Sequence, residues 1–268
     1  MENLKYLIES EESKTKDSEE EKSKQEEDTE LNQNIKEYGI LSIPELNKNP
    51  RGNIRFLPII GQIEGHNIEN SQVKTTKYEH VIPHLIAVSQ SDEVDGLLII
   101  LNTVGGDVEA GLAISELISH VGKPTVSLVL GGGHSIGVPI AVSANYSFIA
   151  ASATMTLHPV RYNGTTIGVP QTFNYLRQIQ NRITEFIVKN SGIAETKLNK
   201  LMFETTQLAL DVGTIVNGND AVELKLIDEV GGLTDATEKL FGLIDETKKS
   251  SNTKIKKIKN SVNKKSNK

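Results

Sequence analysis

The chain has 268 residues, 37% of them apolar, a formal net charge of −6 and no cysteine. That length and apolar share suffice for one full core with appendages. The lack of cysteine excludes disulfides and thiolate metal sites and fits a reducing compartment.

Residues 1–30 hold twelve acids against five lysines and few large apolar side chains. Such a composition cannot offset the entropy of ordering, so residues 1–49 are expected to form a disordered acidic tail. The start, Met1 to Ile8, lacks the apolar stretch of a secretory signal. The folded domain is expected over 50–245. Ile54–Ile60 predicts a strand ending at Gly61, and His80–Ser91 places Val81, Leu85 and Val88 at helical spacing. Gly96–Leu101 is apolar on both faces, as a covered parallel strand requires. Gly105-Gly106-Asp107 then opens a helix through His120, with Asp107 as the N-cap. Thr125–Leu130 predicts the next strand, Gly131–Gly133 a turn, and Ser135–Ala144 a helix; Tyr146–Ile149 and Thr154–His158 predict two further strands. Repeated strand–helix–strand units imply right-handed crossovers and a parallel sheet.

Beyond His158, residues 161–168 are polar and predict a loop or exposed hairpin. Gln171–Asn190 reads as a long amphipathic helix with Phe173, Leu176, Ile179, Ile183 and Ile187 on one side. Helices are also predicted over Glu195–Thr205 and Asp220–Leu226. From Lys248 to Lys268 there are nine lysines and no acid, and residues 246–268 are expected to form a disordered, solvated tail. No specific nucleic-acid partner is expected of it. Pro124–Val160 carries no charged residue, but its glycines, Pro139 and Asn145 interrupt any uniformly apolar 20-residue helix. A cytoplasmic protein without membrane insertion is the expectation.

Gly133-His134-Ser135-Ile136-Gly137 is a G-x-S-x-G pentapeptide, a pattern that presents serine on a tight strand-to-helix turn. His158 is the last histidine, and no acid lies between it and Ser135. The order serine–acid–histidine is therefore impossible, and serine–histidine–acid remains. The two glycine-rich segments leave backbone N–H groups at one end of the sheet, where they suit an oxyanion. Gly105-Gly106 lacks dinucleotide-site spacing and Gly131–Gly133 lacks the lysine of a phosphate loop, so no cofactor is expected. His80 and His84 stand four apart with no third ligand evident, so no metal is expected either.

Each candidate also has a plainer reading. Ser135 suits a helix N-cap, and His158 the end of a strand. His134 is less suited as a base than His158, because neighbours on a tight turn point apart. An acid must hold the imidazole in one tautomer. The candidates after His158 are Glu185, Glu195, Glu204, Asp211, Asp220, Glu223 and Asp228. Asp211 stands out between the apolar Leu208-Ala209-Leu210 and Val212-Gly213, although aspartates before glycines are often turns. A serine–lysine pair would have to draw on Lys189, Lys197 or Lys200.

Together these residues resemble the ClpP-type serine peptidases of the crotonase-like fold. Asn102–Ile114 is similar to the family's glycine-glycine run into a helix, with Val104 replacing the usual proline. Ser135-Ile136-Gly137, Leu157-His158-Pro159 and Ala221–Asp228 resemble its serine, histidine and C-terminal segments, in the same order over about 50–240. The acidic head and Val230-Gly231-Gly232 resemble the translocation-enhancing branch of that family. The resemblance implies an α/β fold of βαβ units with a protruding long helix for oligomerisation. It makes Ser135 the nucleophile, His158 the general base and Asp211 the orienting acid, with Gly106 and Ile136 N–H groups as the oxyanion hole. Aligned without gaps through Ala221-Val222, Gly213 takes the family's aspartate position; a shift of two residues brings Asp211 there. The resemblance further implies polypeptide substrates, homo-oligomeric rings joined through 161–190, and an ATP-dependent unfoldase as possible partner. A weakly active or inactive scaffold assisting preprotein translocation is the alternative, and an acyl-CoA enzyme on the same fold a third.

Overall fold

A computed structural model describes residues 49–206 and 212–266; the acidic head and Asp211 lie outside the described residues. The elements, in chain order, are β1 (Ile54–Glu64), β2 (Thr75–Lys77), α1 (Tyr78–Gln90), β3 (Gly96–Gly106), α2 (Val108–Ser119) and β4 (Thr125–Gly133). Then come α3 (Gly137–Val142), β5 (Tyr146–Ile149), β6 (Thr154–Leu157), α4 (Val169–Asn190) and α5 (Glu195–Met202). The last are β7 (Thr214–Asn217), α6 (Gly218–Glu223), β8 (Glu229–Val230) and α7 (Leu233–Ser266).

The order β2-β1-β3-β4-β5-β8 forms one parallel sheet. Its two faces are both covered, which is why β3 and β4 are apolar at successive positions. Leu97, Ile99 and Leu101 face α1, α2 and α3, where Val81, Leu85, Ile114, Ile118 and Ile140 close the larger core. Leu98, Val126, Leu128 and Phe148 point the other way, against Ala236, Leu240, Phe241 and Ile244 of α7. Each such fully buried aliphatic side chain contributes about 1.5–3 kcal/mol.

Several elements run further than their sequence predicts. β1 continues past Gly61, which takes φ +79° at a register shift opposite Thr103 and Gly105. The glycines of both predicted turns belong to strands: Gly105 and Gly106 pair with Gln62 and Ile63, and Gly133 pairs with Thr103. Glycine here serves close backbone approach rather than a turn. A Cβ at Gly105 would stand 2.6 Å from Ser135 Cβ. The sheet is not wholly parallel. β6 meets β4 at the single pair Gly132↔Thr154 and runs antiparallel to β7, a strand whose short pattern the sequence does not reveal. Helix α7 continues to Ser266, past the expected domain end at 245. Lysine is a good helix former and this stretch holds neither glycine nor proline after Gly242, so nothing local stops the helix.

Helix α4 buries Ile179, Ile183 and Ile187 of its predicted stripe, but leaves Phe173 64% exposed and Leu176 half-buried. Its N-terminal half therefore projects from the core. Among the described residues no helix is long and apolar enough to cross a membrane.

Candidate active site

The sheet's C-terminal edge carries a cleft of about 250 Å³. Ser135, His158, Gly106 and Ile136 all line it, so four of the five residues singled out in the sequence share one cavity. Its walls are mostly apolar: Val104, Val108, Val138, Leu157, Ile183 and Met202.

Ser135 sits between β4 and α3 with φ +56°, a left-handed conformation that costs a non-glycine residue about 1–3 kcal/mol. The neighbouring backbone holds it there. Ser135 N–H donates to Thr156 O (2.9 Å) and His134 N–H to Thr103 O (3.2 Å). On the helix side, Gly137 N–H and Val138 N–H donate to the carbonyls of His134 and Ser135, at 2.9 and 3.0 Å. The Ile136 amide stands one residue ahead of these first helical bonds, beside the serine. Gly106 ends β3 on the opposite wall, with φ +150°. A Cβ at Gly106 would collide with the Ile63 carbonyl, so only glycine fits. Asp107 N–H donates to Ile63 O (2.9 Å) and its carboxylate accepts from Ala110 N–H (2.8 Å), capping α2 as predicted.

His158 follows β6 directly. Its Nδ1 lies 2.7 Å from the Pro159 carbonyl oxygen. A carbonyl only accepts, so Nδ1 carries the hydrogen, and in the neutral ring the lone pair falls on Nε2. That is the tautomer a general base needs.

No acidic side chain lines the cleft among the described residues. Several sequence candidates are committed elsewhere. Asp228 accepts from Ser147 N–H and Oγ–H at 2.8 and 2.7 Å, Asp220 pairs with Asn217, and Glu204 accepts from Thr205 and Thr206 amides. Gly213 abuts His158. It has φ +134°, and a Cβ there would stand 2.8 Å from His158 Cβ and collide with the Leu157 carbonyl. Gly213 N–H donates to Glu204 O at 2.7 Å.

Two residues that sequence reasoning passed over join the site. Thr156 lines the cleft, and its Oγ1 shares a 2.8 Å hydrogen bond with His134 Nδ1. Burial, and secondarily the proximity of His158, lower the pKa of His134 below the ordinary histidine value. The spacing carries no signal for this pair, because 22 residues separate its members. Among the described residues no group of three His, Asp or Glu side chains is placed to hold a metal ion.

The chain matches the family model for Clp protease over residues 62–233. It is similar to the translocation-enhancing protein TepA of Halalkalibacterium halodurans, 56% identical over 214 residues, covering 80% of this chain and 82% of that protein. It is also similar to an ATP-dependent Clp protease proteolytic subunit of Streptococcus suis, 26% identical over 153 residues, or 54% and 72% of the two chains. A solved ClpP1 point mutant from Listeria monocytogenes shares the fold with a TM-score of 0.52 at 21% identity, covering 68% of this chain and 94% of that one.

Proposed function

Because the chain belongs to the Clp protease family, we propose that it is a self-assembling serine endopeptidase acting on unfolded or short polypeptides. The carrying observation is the cleft shared by Ser135, strained at φ +56°, and His158, whose Nδ1 is the protonated nitrogen. Ser135 Oγ attacks the scissile carbonyl carbon while His158 Nε2 takes its proton. The Gly106 and Ile136 amides stabilise the oxyanion, the imidazolium then protonates the leaving amine, and water releases the acyl group by the reverse relay. In this reading Asp211 is the orienting acid and shares the Nδ1 hydrogen that the Pro159 carbonyl accepts. The apolar walls favour an apolar side chain on the acyl side.

A fluorophosphonate probe should label the protein at Ser135, and Ser135→Ala should lose both labelling and peptide cleavage. Labelling that survives in the alanine variant removes Ser135 as nucleophile. Asp211→Asn should lower kcat by a hundredfold or more, since loss of a triad acid leaves the imidazole wrongly held.

A second reading is favoured by the absence of an acidic side chain from the cleft lining among the described residues and by the name of the 56% identical relative. On it the protein is a weakly active scaffold that assists preprotein translocation. A Ser135→Ala strain that secretes precursors at the wild-type rate, beside a deletion strain that does not, would favour the scaffold over the peptidase.

A further inference from the structure

Ser135 and His158 follow strands of different ladders. Ser135 comes after β4 of the large parallel sheet, whereas His158 comes directly after β6, which is paired with β7. The single pair Gly132↔Thr154 joins β6 to β4. The relative position of nucleophile and base therefore depends on whatever else ties β6 to the serine turn. Residue 156 makes two such ties to two consecutive residues. Its carbonyl accepts from Ser135 N–H at 2.9 Å, and its hydroxyl meets His134 Nδ1 at 2.8 Å. Strand alternation puts Thr156 and His158 on the same side of the chain. The His134 ring also has a prepared place: a Cβ on Gly132 would stand 2.6 Å from its Nε2.

We propose that His134 is a positioning residue, which with Thr156 locks the base-bearing strand onto the serine turn. The assignment rests on the peptidase activity proposed above. His134 touches no reacting atom in this role; it acts through Thr156 on the approach of the His158 imidazole to Ser135. Thr156 is paired with Ile215 of β7, so its two bonds to the serine turn together fix how the β6–β7 pair sits against Ser135. Near-attack placement is sensitive at the scale of an ångström, where misplacement is worth up to about a hundredfold in rate.

The test compares fluorophosphonate labelling rates and peptide kcat and KM for wild type, His134→Ala, Thr156→Val, Thr156→Ser and the double variant His134→Ala/Thr156→Val. The lock predicts a kcat about ten- to a hundredfold lower in His134→Ala and Thr156→Val, with KM within about twofold, as expected when oriented reaction geometry is lost. Thr156→Ser, which keeps the hydroxyl, should recover most of the rate. The double variant should be no slower than either single one, because both remove the same bond. Wild-type labelling rates in His134→Ala, or additive losses in the double variant, overturn the lock while leaving Ser135 as nucleophile. If His134→Ala does not fold, Thr156→Val, which conserves shape, decides by the same criterion. A wild-type protein that neither labels nor cleaves overturns the peptidase reading itself, and the lock with it.

Discussion

Gly213 lies directly against His158: a Cβ built on the glycine would stand 2.8 Å from His158 Cβ and overlap the Leu157 carbonyl. Position 213, which the ungapped reading of the sequence aligns with the family's aspartate, is thus closed to any side chain. With φ +134°, it also holds a backbone conformation that only glycine adopts readily. Gly213→Asp should therefore not supply a triad acid. It should instead cost about 1–3 kcal/mol from backbone strain alone and shift β7 away from β6. Thermal unfolding and fluorophosphonate labelling, measured together, check this. A Gly213→Asp variant with unchanged melting and faster labelling would mean that the segment carries its acid at 213 after all.

The same segment marks where sequence reading ends. The parallel sheet was legible, because β3 and β4 are apolar on both faces and each is followed by a helix. That Ser135 and His158 would share a cleft was legible from the G-x-S-x-G pentapeptide and from the absence of any acid between them, which excludes the order serine–acid–histidine. β7 was not: four residues reading Thr-Ile-Val-Asn after a glycine carry too short a period to separate from a loop. The glycine runs misled in a specific way. They look like turns, yet Gly105, Gly106 and Gly133 lie within strands; at Gly105 and Gly106 the serine turn and the β1 backbone approach too closely for a Cβ. His134 and Thr156 were hidden for another reason. Their pairing depends on how β6 crosses the end of β4, which is a property of tertiary placement and not of either local pattern.

Two histidines make the fold acid-sensitive. His84 on α1 is half-buried with its Nε2 unpartnered among the described residues, and burial and then Arg55 lower its pKa from 6.5. His134 is lowered by burial and by His158. In both cases the folded state binds a proton less readily than the unfolded chain. Their contribution to stability is thus complete above the unfolded value of 6.5 and is lost as pH falls through the lower folded values. Urea midpoints should fall between pH 7.5 and 5.5, and His84→Gln should flatten part of that slope. Glu109 does not confuse the result. Its hydrogen bond with Arg182, against an opposing push from burial, holds it below the ordinary glutamate value, outside this window. A midpoint independent of pH over the window would contradict the assignment.

The projecting half of α4 exposes Val169, Phe173 and Tyr175 at 72%, 64% and 57%, beside Ile167 at 98%. We propose that this exposed apolar segment is a contact with another copy of the chain. Phe173→Glu should therefore shift the protein from a larger assembly to smaller species in light scattering, with the subunit's far-ultraviolet dichroism unchanged. Since neither Ser135 nor His158 touches this half of the helix, labelling of Ser135 should continue in the dissociated form if the cleft is complete within one subunit. An assembly unaffected by the glutamate would place the contact elsewhere.

Asp107 separates fold stability from oxyanion geometry. Its side chain caps α2 through Ala110 N–H at 2.8 Å, while its own N–H, fixed by Ile63 O at 2.9 Å, keeps Gly106 at the wall of the cleft. Asp107→Ala removes the first bond and leaves the second, so it should cost about 1 kcal/mol, the usual loss for an N-cap. Asp107→Asn, which still offers an acceptor to the N3 amide, should cost a few tenths of that. Because the backbone bond to Ile63 survives in both variants, kcat should stay within about threefold of wild type, well short of the hundredfold or more lost with an oxyanion donor. A large loss of kcat at unchanged stability would show instead that the carboxylate, and not the β1 backbone, sets the direction of the Gly106 amide.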